Sequence, residues 1–205
     1  MTSRMRELAS EIVRLQTELD REIERRRREL GWSIKGRLVR FEEGIVAQQR
    51  HFRIGVTDLV RRASLGTIMT APIIYSMIVP LALLDLWATI FQAICFRVYC
   101  IPKVRRADYI ALDRGRLAYL NWIEALNCAY CGYGNGVVAY VREISSRTEQ
   151  YWCPIKHAVR ITDPHQRYYD FLEYGDAEGY RVRLDSLRAA LREEAAESIS
   201  QNENA

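Results

Sequence analysis

The sequence predicts a mostly α-helical protein that is anchored in a membrane and carries a small metal-binding module. Three observations support this fold class. The N-terminal residues are rich in charge and show helical periodicity, Ala71–Phe96 is almost wholly apolar, and Cys128–His157 contains three cysteines and a histidine. The chain of 205 residues suffices for one ordinary domain or for a small domain with appendages.

Residues 1–30 are predicted to form an amphipathic helix. Apolar side chains recur there at steps of three and four, which places them on one stripe: Leu8, Ile12, Leu15, Leu19 and Ile23. Two interpretations stay open. The helix lies solvated on its own protein, or it forms a short coiled coil that binds a second copy or another protein.

Residues 31–66 are predicted to form a juxtamembrane amphipathic region. The run Leu38–Ala63 has apolar residues on one face and arginines on the other, although Gly44 and Gly55 weaken it as a helix. Next to a membrane segment, a basic amphipathic helix is expected to lie in the lipid interface. Packing against the rest of the protein is the alternative.

Residues 67–97 are predicted to be a membrane segment that contacts lipid. The apolar run Ala71–Phe96 is longer than the roughly 30 Å hydrocarbon core requires. Its aliphatic and aromatic residues outweigh the roughly 3 kcal/mol cost of Asp85, the one charged residue in the run. An ionisable residue inside a membrane is a functional candidate, so Asp85 is included among the candidate site residues.

The topology of this segment is left open by its flanking charges. Four arginines precede it, and three arginines and a lysine follow it, so the positive-inside rule favours neither orientation. A single span kinked at Pro80 and a helical hairpin bent at Pro80 are both compatible with this balance.

Residues 98–199 are predicted to form a cytoplasmic metal-binding domain. Helices are expected over Asp108–Asn127 and Val137–Trp152, and a short β-hairpin is expected within Tyr168–Leu184, where glycines flank an acidic turn. A last helix follows from Leu184, and residues 200–205 are expected to be disordered.

The metal site is predicted from the spacing Cys128-x2-Cys131-x21-Cys153-x3-His157. Three thiolates and one imidazole are a common tetrahedral ligand set for structural Zn²⁺. Iron or an iron–sulfur cluster is the alternative, and Cys100 could replace His157 as the fourth ligand. Since thiolates need a reducing compartment, these residues are expected to face the cytoplasm.

The stretch "CAYCGY", Cys128–Tyr133, resembles the metal-binding knuckle of rubredoxins and zinc ribbons. In those families a second Cys-x2-Cys pair completes the site, whereas here Cys153 is followed by proline and His157 stands in reach. Together with "YWCPIKH", the C-terminal half is similar to uncharacterised bacterial membrane proteins. That resemblance implies the bacterial inner membrane and no particular activity.

These features favour a membrane-anchored adaptor or scaffold with structural zinc. A membrane-associated redox protein with an iron centre is the first alternative, and an accessory subunit of a membrane enzyme or transporter is the second. The sequence contains no phosphate-binding glycine motif and no nucleophile motif, so enzyme activity is left undecided. A net charge of +4 does not indicate a nucleic-acid partner.

Overall fold

The fold is mostly helical, and the chain divides into two compact units. The computed structural model describes residues 3–29, 32–35, 38–41 and 44–203. The first unit comprises residues 1–64 and 112–129, and the second comprises residues 65–111 and 130–205. The apolar segment therefore belongs to the same unit as most of the C-terminal residues, whereas the sequence places a domain boundary at residue 98.

The first unit begins with helix α1, Ser3–Glu29, which confirms the predicted N-terminal helix. Strands β1, Trp32–Lys35, and β2, Leu38–Phe41, pair antiparallel with Trp32 opposite Phe41.

The predicted amphipathic run is divided into short elements. Helices α2, Ile45–His51, and α3, Val56–Arg62, each begin directly after a glycine, Gly44 and Gly55. Gly44 has φ of 95°, a left-handed conformation that suits glycine and interrupts the run. The two glycines that are predicted to weaken the run as a helix therefore interrupt it.

The apolar helix, as we call Leu65–Tyr99, is built from consecutive pieces. They are α4 (Leu65–Ser76), α5 (Ile78–Phe91), a π-helical turn (Gln92–Phe96) and α6 (Arg97–Tyr99). Within the described part of the chain, it is the one helix long and apolar enough to cross a membrane.

The apolar helix is interrupted at Met77 only by a single-residue turn. The cause is Pro80, which lacks an N–H and whose ring crowds the carbonyl of Ser76 four residues earlier. The amide of Met77 bonds to the carbonyl of Ile74 at 3.3 Å, and the amide of Leu81 bonds to Met77 at 3.2 Å. A kink near Pro80 was predicted. No reversing loop separates α4 from α5, so the hairpin alternative is wrong.

The linker, residues 100–121, turns back along the apolar helix. Cys100 adopts a left-handed conformation with φ of 56° and ends α6. Two short 3₁₀ turns, Arg106–Asp108 and Arg114–Arg116, follow in the linker. The helix predicted over Asp108–Asn127 is therefore wrong for most of its length.

Helix α7, Trp122–Trp152, is the longest element and begins with a capping box. The side-chain oxygen of Asn121 accepts from the amides of Ile123 and Glu124, both at 3.0 Å. The carboxylate of Glu124 accepts from the amide of Asn121 at 2.9 Å. The predicted helix Val137–Trp152 is the C-terminal half of α7.

The chain after α7 contains a 3₁₀ helix, Gln166–Asp170, and helix α8, Ala177–Glu203. The β-hairpin predicted within Tyr168–Leu184 is wrong, because Asp176 accepts from the amide of Gly179 at 2.8 Å and caps a helix instead. The tail expected to be disordered is helical through Glu203, and residues 204–205 lie outside the described residues.

The second unit has one apolar core between the apolar helix, the linker, α7 and α8. Its buried members are Ala88, Phe96, Ile101, Val104, Tyr140, Ile144 and Leu191. This core fixes one face of the apolar helix against protein, and that face carries the polar groups described next.

Candidate functional site

Asp85 is a buried acid on the apolar helix that pairs with residues of the linker and of α7. The guanidinium of Arg106 donates to both carboxylate oxygens, with Nε 2.9 and 3.1 Å and Nη2 2.6 Å away. The hydroxyl of Tyr133 on α7 donates to Oδ2 at 2.9 Å. A bidentate pair of this kind is strong and fixes geometry. The pair therefore holds the linker and α7 against the apolar helix.

Gln92 forms a second polar contact with the linker, about two helical turns after Asp85. Its amide oxygen accepts from the backbone N–H of Val104 at 2.9 Å, and its Nε2 donates to the Val104 carbonyl at 3.2 Å and to the hydroxyl of Tyr140. The side chain of Gln92 thus bonds to both the N–H and the C=O of Val104, as the backbone of a neighbouring β-strand would. The position of the linker beside residues 85–96 is set by these side chains.

A third polar cluster lies outside the apolar helix, between α7, α8 and the 3₁₀ helix at Gln166. Arg167 donates to Glu194 at 2.7 and 2.9 Å and to Gln150 at 2.8 Å. Glu143 accepts from Arg147 at 2.7 Å. The side chains of Arg147 and Glu143 are largely covered, so α7 does not present them on a solvated face.

The charges of this third cluster shift one another's pKa values. Burial acts most strongly on Arg167 and lowers its pKa, but the hydrogen bonds and attraction of Glu194 and Glu143 outweigh burial and leave the pKa raised. The hydrogen bond from Arg167 lowers the pKa of Glu194 below its ordinary value of 4.5. Both residues are therefore held in their charged forms at neutral pH.

The predicted ligands Cys128 and Cys131 lie one turn apart within α7. The stretch "CAYCGY" is therefore helical, and the metal-binding turn expected there is wrong. Gly136 belongs to the same helix, and a Cβ there would lie 2.8 Å from the carbonyl oxygen of Tyr109. This glycine serves the close approach of the linker.

The structure does not bring Cys128 and Cys131 together with Cys153 and His157. Cys153 follows the last residue of α7, about 33 Å along the helix from Cys131 at roughly 1.5 Å per residue. Thiolates on one zinc ion lie within about 4 Å of each other. The residues of this set therefore do not fit a single metal ion in this arrangement.

The remaining candidates are placed around the C-terminal end of α7. The ring of His157 stacks on Tyr168, with centroids 6.1 Å apart. Cys100, the alternative fourth ligand, is exposed at the end of α6, and its neighbour Tyr99 contacts Trp152 at 5.2 Å. Among the described residues, no group of three or more acidic, cysteine or histidine side chains is placed to hold a metal. Zinc or iron binding stays a prediction, and this set would require α7 to open.

His165, another histidine near the C-terminal end of α7, makes polar contacts through both ring nitrogens. Its Nε2 lies 2.8 Å from Oε2 of Glu149, and its Nδ1 accepts from the amide of Tyr168 at 3.1 Å. Glu149 and Cys153 also line the polar end of an open groove of about 490 Å³ between α5 and α7. The rest of its wall is mainly apolar and includes Leu84, Trp87 and Phe91.

Sequence reasoning identified Asp85 but not its partners. From the sequence alone, Arg106 is one of the basic residues that follow the membrane segment, and Tyr133 ends the stretch that resembles a metal-binding knuckle. The signal that could have found α7 is Asn121-x-x-Glu124, the capping box that precedes the cysteines.

Comparisons with protein-family models, curated proteins and solved structures find no match to this chain.

Proposed function

We propose that the protein is a membrane-anchored helical adaptor, held to the bilayer by the apolar helix and presenting its other helices to protein partners. The observation that carries this proposal is the surface of the apolar helix. Large apolar side chains are exposed along it from Leu65 to Val98. No residue of its N-terminal part, Leu65 to Leu84, is buried inside the protein. Such a surface is typical of contact with lipid.

The protein face of the same helix supports an anchor rather than a channel or pump. The Asp85 carboxylate accepts hydrogen bonds from Arg106 and Tyr133, which tie it to the linker and to α7. A proton carrier needs an acid that exchanges with water or a substrate. Asp85 therefore has a structural role, because it holds the linker and α7 against the apolar helix.

The proposed partner surface is the apolar stripe of α1. Its five members, Leu8, Ile12, Leu15, Leu19 and Ile23, are all exposed. Helices with such a stripe bury it against another helix, so a second copy or another helical protein fits here. We propose that the protein lies at the bacterial inner membrane with its C-terminal helices in the cytoplasm, where the free cysteines Cys128, Cys131 and Cys153 stay reduced.

Membrane extraction tests the anchor. The wild-type chain should fractionate with membranes and resist alkaline carbonate, because its exposed apolar side chains are immersed in lipid. A Leu83→Lys, Ile90→Lys double variant should be extracted, since each lysine costs about 2.5–3.5 kcal/mol in hydrocarbon. Val182→Lys is the control, because Val182 is also an exposed aliphatic residue but lies on α8. Recovery of the wild-type chain as soluble protein without detergent would refute the proposal.

A further inference from the structure

The apolar helix has two faces of opposite character. One face is covered by protein and includes Asp85, Ala88, Gln92 and Phe96, which are all buried. The opposite face carries Met69, Ile73, Leu83, Trp87, Ile94 and Val98, which are between 61% and 72% exposed. These six residues recur at helical spacing, so they form one continuous exposed stripe from α4 to α6.

The exposed stripe is too long for an ordinary membrane span. Met69 and Val98 stand about 44 Å apart along a helix that rises roughly 1.5 Å per residue. The hydrocarbon core is about 30 Å thick. Immersing the whole stripe in a spanning helix would need a tilt of about 47°, beyond the usual range of about 0–40°. An upright span would leave Trp87, Ile94 or Val98 in water.

Charged residues lie at the level of the C-terminal half of the stripe, on the other face. The linker is held beside Gln92 by Val104 and beside Asp85 by Arg106. Lys103 and Arg105, which lie in the same part of the linker, are exposed. A span that placed residues 85–98 in hydrocarbon would carry these charges with it, at about 2.5–3.5 kcal/mol each.

Helix α7 covers the same face over a longer distance. The hydroxyl of Tyr130 donates to the carbonyl of Ile74 at 2.6 Å, and a Cβ at Gly134 would lie 3.2 Å from Leu81. Tyr140 then meets Gln92. Residue numbers increase in the same direction along both helices through these contacts, so α7 and the apolar helix run parallel. The linker therefore runs back along the apolar helix before α7 begins, so a crossing apolar helix would carry the linker into hydrocarbon with it.

We propose that the apolar helix lies in the plane of one leaflet of a phospholipid bilayer instead of crossing it. The exposed stripe contacts the acyl chains, while the linker and α7 form a layer on the water side. The chain then enters and leaves the membrane on the same side. This geometry explains why basic residues flank the segment equally at both ends, because both flanks face the same headgroups. This inference rests on the membrane attachment proposed above and adds its geometry.

Depth measurements test this geometry in the full chain, reconstituted in phospholipid vesicles. Spin labels are attached at single cysteines replacing Ile73, Leu83 and Ile94, in a background with the five native cysteines changed to serine. An in-plane helix gives three similar, shallow depths, about 5–10 Å below the headgroup boundary. A steady change of depth from residue 73 to residue 94 would overturn the in-plane geometry and leave the anchor intact. Labels that are not immersed at all would overturn the anchor itself.

The wild-type chain provides a second measurement that does not depend on the cysteine-free background. Trypsin is added to inside-out and right-side-out membrane vesicles, and the cleaved sites are mapped. The in-plane geometry exposes α1, the linker and α8 together on the cytoplasmic face, so inside-out vesicles should lose all three and right-side-out vesicles none. Cleavage of α1 from one side and of α8 from the other would show a crossing helix and refute the proposal.

Discussion

The charge on Asp85 is compatible with an apolar helix because Arg106 neutralises it from the linker and Tyr133 donates a hydrogen bond to it from α7. The side chain of Asp85 is 9% exposed, whereas that of Arg106 is 46% exposed. The arginine stem thus reaches along the protein while its guanidinium meets both the carboxylate and the surface. The pair converts the one acidic residue of the apolar helix into a contact between elements.

Removing one partner of this pair should cost more than removing both. Arg106→Ala leaves the carboxylate buried without its counter-charge, so we expect a loss of about 1–3 kcal/mol in the free energy of unfolding, below the usual range for fully buried pairs because Arg106 is half-exposed. The double variant Asp85→Leu, Arg106→Met should recover part of that loss. Thermal unfolding in detergent measures both, and a double variant no more stable than Arg106→Ala would contradict this account.

The pair of Arg167 and Glu194 should make stability depend on pH. Because the folded pKa of Glu194 is lowered, its contribution is present above its ordinary pKa of 4.5 and is lost as the pH falls through the folded value. Glu194 is 41% exposed, so we expect about 0.5–1 kcal/mol. The stability of Glu194→Gln, measured from pH 7 to pH 3, should fall less than that of the wild type. Parallel curves for the two proteins would show that the pair contributes nothing.

The continuity of α7 gives an expectation for the cysteines. Cys128 and Cys131 are separated by most of α7 from Cys153 and His157, so one zinc per chain cannot bind to the four residues without opening that helix. We expect elemental analysis of the purified protein to give the same metal content for the wild type and for Cys131→Ser, with equal helicity by circular dichroism. One zinc per wild-type chain that is lost in Cys131→Ser would overturn the helical assignment of "CAYCGY" in the metal-bound protein.

At the scale of elements, α7 is determined by its start and by its contacts rather than by intrinsic propensity. Its glycines each cost about 1 kcal/mol relative to alanine, and the sequence "CGYGNG" accordingly suggested a loop. The capping box at Asn121 begins the helix, and packing against the apolar helix and linker stabilises it. Tyr130 also donates to the carbonyl of Ile74, next to the interruption at Met77, where backbone hydrogen bonding is incomplete.

Two glycines of α7 should respond oppositely to alanine. At Gly136 a Cβ would meet backbone atoms of Tyr109 and Ile110 within 3.0 Å, so Gly136→Ala should force the linker away and destabilise by about 1–3 kcal/mol. At Gly134 a Cβ would meet only the mobile end of the Leu81 side chain at 3.2 Å, so Gly134→Ala should be neutral or stabilising through helix propensity. Chemical denaturation in detergent compares them, and equal effects would exclude the close approach as the cause.

The elements that could be predicted are those whose residues carry their own periodic signal. Helix α1 and the apolar helix follow from apolar spacing and from an uncharged run, which are local properties of the chain. The helical state of Cys128–Tyr133 has only the capping box at Asn121 as a local signal, and the packing that stabilises it comes from elsewhere in the chain. The role of Arg106 likewise exists only once the linker has turned back at Cys100.

At the scale of the whole molecule, charge and apolar surface are separated. The apolar helix carries one acid, which is neutralised by contacts from the rest of the chain, while α1 and α8 carry many charged side chains. The sequence predicted this segregation and the one helix that is long and apolar enough to cross a membrane, and membrane attachment stays a prediction. The sequence could not predict the geometry that we propose for this attachment, because that geometry depends on the linker and α7, which cover the face that carries Asp85 and Gln92.

The exposed stripe of α1 should mediate association between copies. Its five apolar members are 40–59% exposed, and burying two such stripes against each other removes apolar surface from water. We expect the wild-type protein in detergent to have about twice the mass of one chain by light scattering, once bound detergent is subtracted. Leu15→Glu, Leu19→Glu should reduce this mass to that of one chain, whereas Asp20→Asn on the same exposed helix should not. A wild type that already has the mass of one chain would assign the stripe to a different protein, and a double variant that keeps the wild-type mass would place the contact between copies elsewhere.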